Sequence, residues 1–165
     1  MNTGAAAAAG DILVFLHADT LLPENFSHQI VSALNQNGVA AGAFRLAINS
    51  TRAGIRIIEC MANLRSRLLQ LPYGDQALFI NKQVFETVNG FPEQPLLEDV
   101  ALIRKLKQLG SITIADGKVS TSARRWQRLG ILRTTLINQY ILIGYGFGVD
   151  IEKLAMLYRG GTKNV

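Results

Sequence analysis

The stretch Asp11-Ile-Leu-Val-Phe-Leu-His-Ala-Asp19 decides the fold that we predict for this chain. Its five consecutive apolar residues, at positions 12–16, are typical of a strand buried on both faces, and such strands occur in parallel α/β sheets. Open α/β sheets bind their ligands outside the carboxyl ends of the strands. His17 and Asp19 therefore follow the strand at the place where a site is expected.

Apolar spacing along the rest of the chain predicts an alternation of helices and strands. Helices are predicted at residues 2–9, 23–36, 53–69, 82–88 and 97–109, strands at 38–48, 75–80 and 112–115, and one or two helices at 129–158. This alternation predicts a single α/β domain with a mostly parallel sheet and C-terminal helices. Within residues 1–165, we assign 1–128 to the α/β core and 129–165 to the helical segment.

Composition indicates a globular protein with an affinity for anions. The chain has 165 residues, of which 48% are hydrophobic and 18% charged, so it can bury a substantial core. Its net charge of +5 favours phosphates or a membrane surface as partners, with a merely solvated basic face as the alternative. No nucleic-acid partner is predicted.

Location is predicted from the cysteine content and from the apolar segments. Cys60 is the single cysteine, and the alanine-rich start carries no export signal, so the expected compartment is the cytoplasm. Residues 131–149 contain Arg133 and polar amides, and therefore fail as a membrane-spanning helix. Weak peripheral membrane contact through residues 129–158 is one interpretation, and a helix that covers the sheet is the other.

The pair His17 and Asp19 is a candidate metal site. Side chains two positions apart in an extended chain share a face, so both can approach one ion. A carboxylate beside an imidazole suits Mg²⁺ or Mn²⁺, whereas zinc normally needs three or four protein ligands. The alternative is that Asp19 only caps the turn before Pro23.

Glu98 and Asp99 form a second acidic pair, at the start of a predicted helix. The positive end of the helix dipole stabilises carboxylates there, so simple capping is one explanation. The functional interpretation makes Asp99 a general base that removes a proton from an incoming hydroxyl group, while Glu98 orients it.

Two further segments carry candidate binding residues. Gly74-Asp75-Gln76 is a polar turn that fits against a sugar or is an ordinary turn. Arg124-Arg125-Trp126 combines phosphate-binding guanidinium groups with an aromatic platform, or is a basic surface patch in which Trp126 anchors the last helices.

Taken in order, these segments resemble the family 2 glycosyltransferases of the GT-A fold. Phe15-Leu-His-Ala-Asp-Thr20 resembles their Asp-x-Asp metal motif, and Gly74-Asp-Gln76 their acceptor-side loop. Leu97-Glu-Asp-Val100 resembles their base motif, and Arg124-Arg-Trp126 their late Arg-Trp element. The combination is most similar to the bacterial branch called radical-SAM/selenodomain-associated transferase 2.

The resemblance implies a role for each matching residue. Asp19 would bind a divalent ion on the donor's diphosphate, Asp99 would be the base, and Asp75 and Gln76 would face the acceptor. Arg125 and Trp126 would close over the reacting groups. The implied reaction moves a sugar from a nucleotide-diphosphate donor to a hydroxyl acceptor, with inversion at the anomeric carbon.

Two departures from the family pattern qualify this expectation. His17 replaces the first Asp of the metal motif, which lowers the negative charge of the site. The chain also begins near the helix before the metal strand, so we expect a truncated fold that lacks the nucleotide-binding segment and exposes a sheet edge. Self-association through this edge, dependence on a missing partner segment and an incomplete reading frame are the alternatives. A nucleotidyltransferase and a non-catalytic interaction module remain alternatives, and the sequence identifies neither donor nor acceptor.

Overall fold

The computed structural model describes the backbone of residues 1–163 and side chains as far as residue 160. In this part of the chain five strands form one sheet: β1 (Ile12–Phe15), β2 (Thr20–Leu21), β3 (Val39–Asn49), β4 (Leu78–Asn81) and β5 (Ser111–Ser122). The helices are α1 (Asn2–Ala7), α2 (Phe26–Leu34), α3 (Ala53–Leu69), α4 (Lys82–Thr87), α5 (Glu98–Leu106), α6 (Arg124–Leu129), α7 (Ile131–Gly146) and α8 (Ile151–Lys163).

The sheet is mixed, so the prediction of a mostly parallel sheet is wrong. Its strand order is β1-β4-β3-β5-β2, and only the long pairing of β3 with β5 is parallel. β4 runs antiparallel to both β1 and β3, and β2 runs antiparallel to β5. The α/β alternation in the sequence does not encode strand direction, because direction depends on pairings between distant segments.

Strand β1 lies at the edge of the sheet, not at its centre. Leu13 is buried, whereas its three neighbours in the strand are only half-buried. The expectation of a strand buried on both faces is therefore wrong for this segment. The apolar run reflects packing on one sheet face together with partial cover on the other.

Element boundaries follow the predictions most closely where periodicity is strong. The predicted helix at 53–69 is confirmed, since α3 spans Ala53–Leu69. The predicted strand at 75–80 is shorter, because Gly74–Gln76 forms a 3₁₀ turn and Ala77 takes a left-handed conformation with φ of 50° before β4 begins. Helix α2 begins at Phe26, after Asn25 with φ of 55°, and not at Pro23.

Side chains on the two faces of the sheet form two hydrophobic clusters. Strands alternate their side chains between faces. In β4, Leu78 and Ile80 pack with α5 on one face, while Phe79 packs with α2 and α3 on the other. Phe79 meets Phe44 of β3 edge to face, with ring centroids 5.3 Å apart. The helices thus cover both faces of the sheet.

Helices α6, α7 and α8 follow the last strand and close one end of the sheet. Ile141 and Leu154 are buried between them, whereas Leu132 and Leu136 of α7 are exposed. None of the helices among the described residues combines the length and apolar content needed to cross a bilayer.

Candidate active site

A cavity of about 320 Å³ collects residues from the ends of several elements. Its walls come from the segment after β1, the 3₁₀ turn at 74–76, the start of α5, the end of β5 and helices α6 to α8. Most of the residues singled out from the sequence line it: His17, Asp19, Gly74, Asp75, Glu98, Asp99, Arg125 and Trp126. The structure therefore brings both acidic segments, which are far apart in the sequence, to one cavity.

Asp99 is held in a fixed orientation by two backbone groups. Its Oδ2 accepts a hydrogen bond from the N–H of Gly74 at 2.6 Å, and its Oδ1 accepts one from the N–H of Val100 at 2.8 Å. Leu97, the residue before the helix, has a left-handed backbone with φ of 59°, which turns the chain so that α5 starts at the cavity. An oriented carboxylate at a helix N-terminus can receive a proton from a nearby hydroxyl group.

Gly74 allows three elements to approach one another closely. A Cβ atom at this position would lie 3.0 Å from Nε2 of His17 and 3.4 Å from Oδ2 of Asp99. Any larger residue would therefore push the imidazole and the carboxylate away from the turn. The turn thus positions His17 and Asp99 next to each other.

Asp75 has a polar atom with no partner. Its Oδ1 is buried and makes no hydrogen bond. Burial raises the pKa of the Asp75 carboxyl; the positive charge of Arg65 opposes this shift and the negative charge of Asp99 adds to it. Asp75 is therefore a carboxyl group that resists ionisation and has an oxygen available for a ligand.

Tyr73 lines this cavity and Arg65 packs against its ring, although neither was assigned a role from the sequence. The guanidinium carbon of Arg65 lies 3.4 Å from the centroid of the Tyr73 ring, and its Nε donates to the carbonyl of Leu71 at 3.0 Å. Burial lowers the pKa of Arg65 and raises that of Tyr73. The sequence carries no clear signal for Arg65, because the burial of its neighbours Ala62 and Ser66 is decided by the tertiary structure.

Gln76 is placed in the interior, away from the cavity. It is fully buried, its Nε2 donates to the carbonyl of Phe44 at 2.9 Å, and its Oε1 accepts from the hydroxyl of Ser66 at 2.6 Å. These bonds fasten the turn to β3 and α3. The structure gives Gln76 a supporting position and not the acceptor-facing one that we expected.

The segment 124–126 divides between the cavity and the surface. Arg125 lines the cavity, with its guanidinium carbon 4.6 Å from the ring centroid of Tyr158. Trp126 also lines it, and its Nε1 is buried without a hydrogen-bond partner. Arg124 lies outside, where its Nη2 is 3.5 Å from Oδ2 of Asp19. It borders a second, open depression of about 640 Å³, which Arg125 and Arg128 also line.

Few side chains on the cavity wall could act as ligands for a metal ion. Among the described residues, no three His, Cys, Asp or Glu side chains are grouped so that they could hold an ion by themselves. His17 and Asp19 supply two donors on the cavity wall. Mg²⁺ is commonly held by one or two carboxylates together with substrate phosphates, so these residues fit an ion shared with a diphosphate, and do not fit a closed protein site.

The fold is a mixed α/β domain whose cavity presents the acidic residues Asp19, Asp75, Glu98 and Asp99 together with Arg125. Comparison with protein-family models is more specific: glycosyl transferase family 2 matches residues 1–90, more than half of the chain, and the chain belongs to this family. Comparison with curated proteins gave no match. The family supports a glycosyltransferase function, with a nucleotide-sugar donor and an acceptor in general terms.

The matched region contains only part of the candidate site. His17, Asp19 and the turn at 74–76 lie within residues 1–90, whereas Glu98, Asp99 and the segment 124–126 lie beyond them. The contact between Gly74 and Asp99 joins the matched part to the rest.

Proposed function

We propose that this chain transfers a sugar from a nucleotide-diphosphate donor to a hydroxyl acceptor, with inversion at the anomeric carbon. The observation that carries the proposal is the single cavity in which Asp19 after β1 and Asp99 at the start of α5 both form part of the wall. Family membership supports sugar transfer as the reaction class. As part of this proposal we retain the closer resemblance to the radical-SAM/selenodomain-associated transferase 2 branch.

In the proposed reaction, Asp99 takes the proton of the acceptor hydroxyl group. The freed oxygen attacks the anomeric carbon of the donor, the bond from that carbon to the diphosphate oxygen breaks, and the electron pair leaves with the nucleoside diphosphate. Its negative charge is stabilised by Arg125 on the cavity wall, and Glu98 helps to orient the base. No covalent enzyme intermediate is needed, because one displacement inverts the configuration.

A divalent ion, Mg²⁺ or Mn²⁺, is part of the proposal as a ligand shared between protein and donor. His17 and Asp19 would hold it together with phosphate oxygens. When bound, such an ion offsets the charge that develops on a leaving diphosphate. In the free protein Asp19 is instead close to Arg124, an exposed pair that a bound ion can replace at little energetic cost.

The proposed base is tested with the substitution Asp99→Asn. Release of nucleoside diphosphate from a panel of UDP-, GDP- and dTDP-hexoses is measured by chromatography. We expect the substitution to lower turnover by a factor of about 10² to 10⁴, because the amide cannot accept the proton. Asp116→Asn is the matched control, since Asp116 is exposed on β5 and lines neither the candidate cavity nor the open depression beside Arg124.

Three outcomes would contradict this proposal. Wild-type turnover in the Asp99→Asn protein would remove Asp99 as the base. Release of hexose 1-phosphate, with transfer of the nucleoside monophosphate to the acceptor, would identify a nucleotidyltransferase, and absence of donor binding in the wild-type protein would favour an interaction module.

The metal ligand is tested with the substitution Asp19→Ala. We expect Mn²⁺ to raise the affinity of the wild-type protein for UDP about tenfold or more, and expect this enhancement to disappear in the variant, because one of two protein donors is lost. Isothermal titration calorimetry with Mn²⁺ or with EDTA measures both affinities. Equal affinities in all four combinations would exclude a shared ion at this position.

A further inference from the structure

A groove of about 330 Å³ lies between helices α3 and α7. The helices approach each other near their N-termini, where a Cβ atom on Gly54 would lie 3.2 Å from Cδ1 of Ile131. The volume is within the range of about 300 to 1,000 Å³ that is typical of small-molecule pockets. The groove is therefore large enough to hold part of a substrate.

The lining of this groove is largely apolar. Ile58, Met61 and Leu69 contribute from α3, Leu46 from β3 and Leu142 from α7. Polar groups come from Arg65 on α3, from Tyr73 and Asp75 at the 3₁₀ turn, and from Thr135, Asn138 and Gln139 on α7. A ligand that fills the groove therefore contacts mainly hydrocarbon and also meets several polar side chains.

The groove continues into the candidate active site. Five residues line both the groove and the candidate cavity: Tyr73, Asp75, Trp126, Asn138 and Leu142. A ligand in the groove can thus extend to the cavity that contains Asp99. The groove and the reaction site form one continuous surface.

Both unpartnered buried side-chain atoms belong to residues at this junction. Among the described residues, these atoms are Oδ1 of Asp75 and Nε1 of Trp126. The first is a carboxyl oxygen that accepts a hydrogen bond, and the second is an indole N–H that can only donate one. A hydroxyl group has both capacities that these two atoms require, because it donates one hydrogen bond and accepts others.

We infer that the acceptor is an amphiphilic alcohol whose hydrocarbon chain lies in the groove between α3 and α7 and whose hydroxyl-bearing end meets Asp75 and Trp126. This inference rests on the proposed function and names its substrate class. A small polar acceptor would not fill the apolar groove, so the apolar side chains that line the groove would stay in contact with water.

An exposed apolar stripe on α3 reaches the groove at Met61. Ile57, Met61, Leu64 and Leu68 recur at helical spacing along α3, and each is more than half exposed. On a soluble domain such a stripe marks a site of contact with apolar material.

The experiment uses Trp126 as the reporter, since it is the single tryptophan of the chain and lines both cavities. The full chain is titrated with n-decyl β-glucoside below its micelle concentration, with glucose as the matched polar probe. We expect a saturable change in tryptophan fluorescence with the decyl compound and none with glucose. Saturation with glucose, or a decyl response that never saturates, would overturn the inference.

Two substitutions on α3 locate the binding site. Met61→Gln removes an apolar wall of the groove, whereas Ile57→Gln changes a similarly exposed side chain that does not line it. We expect Met61→Gln to weaken binding at least fivefold and Ile57→Gln to leave it unchanged, with circular dichroism showing that both fold. Equal losses of affinity in the two variants would mean that the decyl compound adsorbs on the helix surface, and would contradict binding in the groove.

The binding measurement separates this inference from the proposed function. It needs neither donor nor turnover, so loss of decyl binding with nucleotide release intact removes the amphiphilic acceptor alone. Groove binding without any release of nucleoside diphosphate would contradict the proposed reaction instead.

Discussion

Three carboxylates around the cavity have different surroundings, although all three are aspartates. Asp19 is exposed beside Arg124, whereas Asp99 accepts two backbone hydrogen bonds at the start of α5. Asp75 has a buried oxygen with no partner. Burial disfavours the charged form of the Asp75 carboxyl group, which distinguishes it from the exposed Asp19. Under the proposed function, Asp19 binds the ion, Asp99 accepts the proton and Asp75 holds a hydroxyl group.

The raised pKa of Asp75 predicts a pH-dependent stability effect. The folded protein holds this proton to a higher pH than the unfolded chain does, so its stability falls as pH rises from the ordinary aspartate range through the raised pKa. The asparagine side chain in Asp75→Asn cannot ionise, so the variant does not lose stability in this way. We therefore expect the variant to gain stability relative to the wild type between about pH 4.5 and about pH 8, as measured by urea unfolding.

Asp116→Asn is the control for this measurement, because Asp116 is exposed. Its effect on the free energy of unfolding should stay within about 0.5 kcal/mol at both pH values. A stability difference between Asp75→Asn and wild type that does not change with pH would show that the carboxyl group is not desolvated.

Individual residues of the candidate site were only partly predictable from the sequence. Polar residues after a strand or at a helix start were visible, and the structure places His17 and Asp99 at one cavity. We expected Gln76 to face the acceptor because the sequence does not show that its amide forms hydrogen bonds with Phe44 and Ser66. Arg65 was overlooked since its partner ring, Tyr73, lies on another element.

The turn between α5 and β5 packs closely against the backbone at the start of β3. Gly110 lies against β3, where a Cβ atom would be 2.5 Å from the carbonyl oxygen of Gly38 and 3.1 Å from the backbone nitrogen of Ala40. Backbone atoms cannot move aside as a flexible side chain can. We expect Gly110→Ala to lower the free energy of unfolding by about 1–3 kcal/mol, as measured by urea denaturation.

Gly4→Ala is the matched control, since nothing lies within 4 Å of a Cβ atom at Gly4 in helix α1. Alanine is the better helix former, so this variant should be unchanged or more stable by up to about 1 kcal/mol. Wild-type stability in Gly110→Ala would show that β3 and the turn separate readily.

Among the elements, long amphipathic helices were predicted well and sheet geometry was not. The bounds of α3 follow from spacing within Ala53–Leu69 alone. The strand predicted at 112–115 proved to be only part of β5, because pairing with β3 continues past an irregularity between Phe44 and Arg45 into the mostly polar residues 118–122. A polar stretch can be a strand when its neighbour supplies the hydrogen bonds.

On the scale of the whole molecule, the sheet order predicts where the fold is most resistant to opening. β3 lies at the centre between β4 and β5, while β1 and β2 are the edges. Amides of a central strand exchange only when a large part of the molecule opens. We expect amide hydrogen exchange to be slowest in β3 and at least about tenfold faster in β1 and in helix α1, as measured by mass spectrometry.

The comparison between β3 and β1 provides its own control, because both strands belong to one sheet and are measured in one sample. Faster exchange in β3 than in β1 would contradict the strand order. It would also contradict the position that the structure gives to the 3₁₀ turn of the site, since Gln76 in that turn is anchored to the carbonyl of Phe44 in β3.

The sequence by itself determined the α/β class, the extent of α3 and the polar character of the segments around His17, Glu98 and Arg125. These features depend on neighbours within a few positions, through helical periodicity, strand alternation and capping. Only the tertiary structure decided the mixed strand directions, the burial of Gln76 and the cavity that Asp19 shares with Asp99. The physical reason is separation along the chain: Asp19 and Arg124 are 105 positions apart, and such contacts form only when the whole core packs.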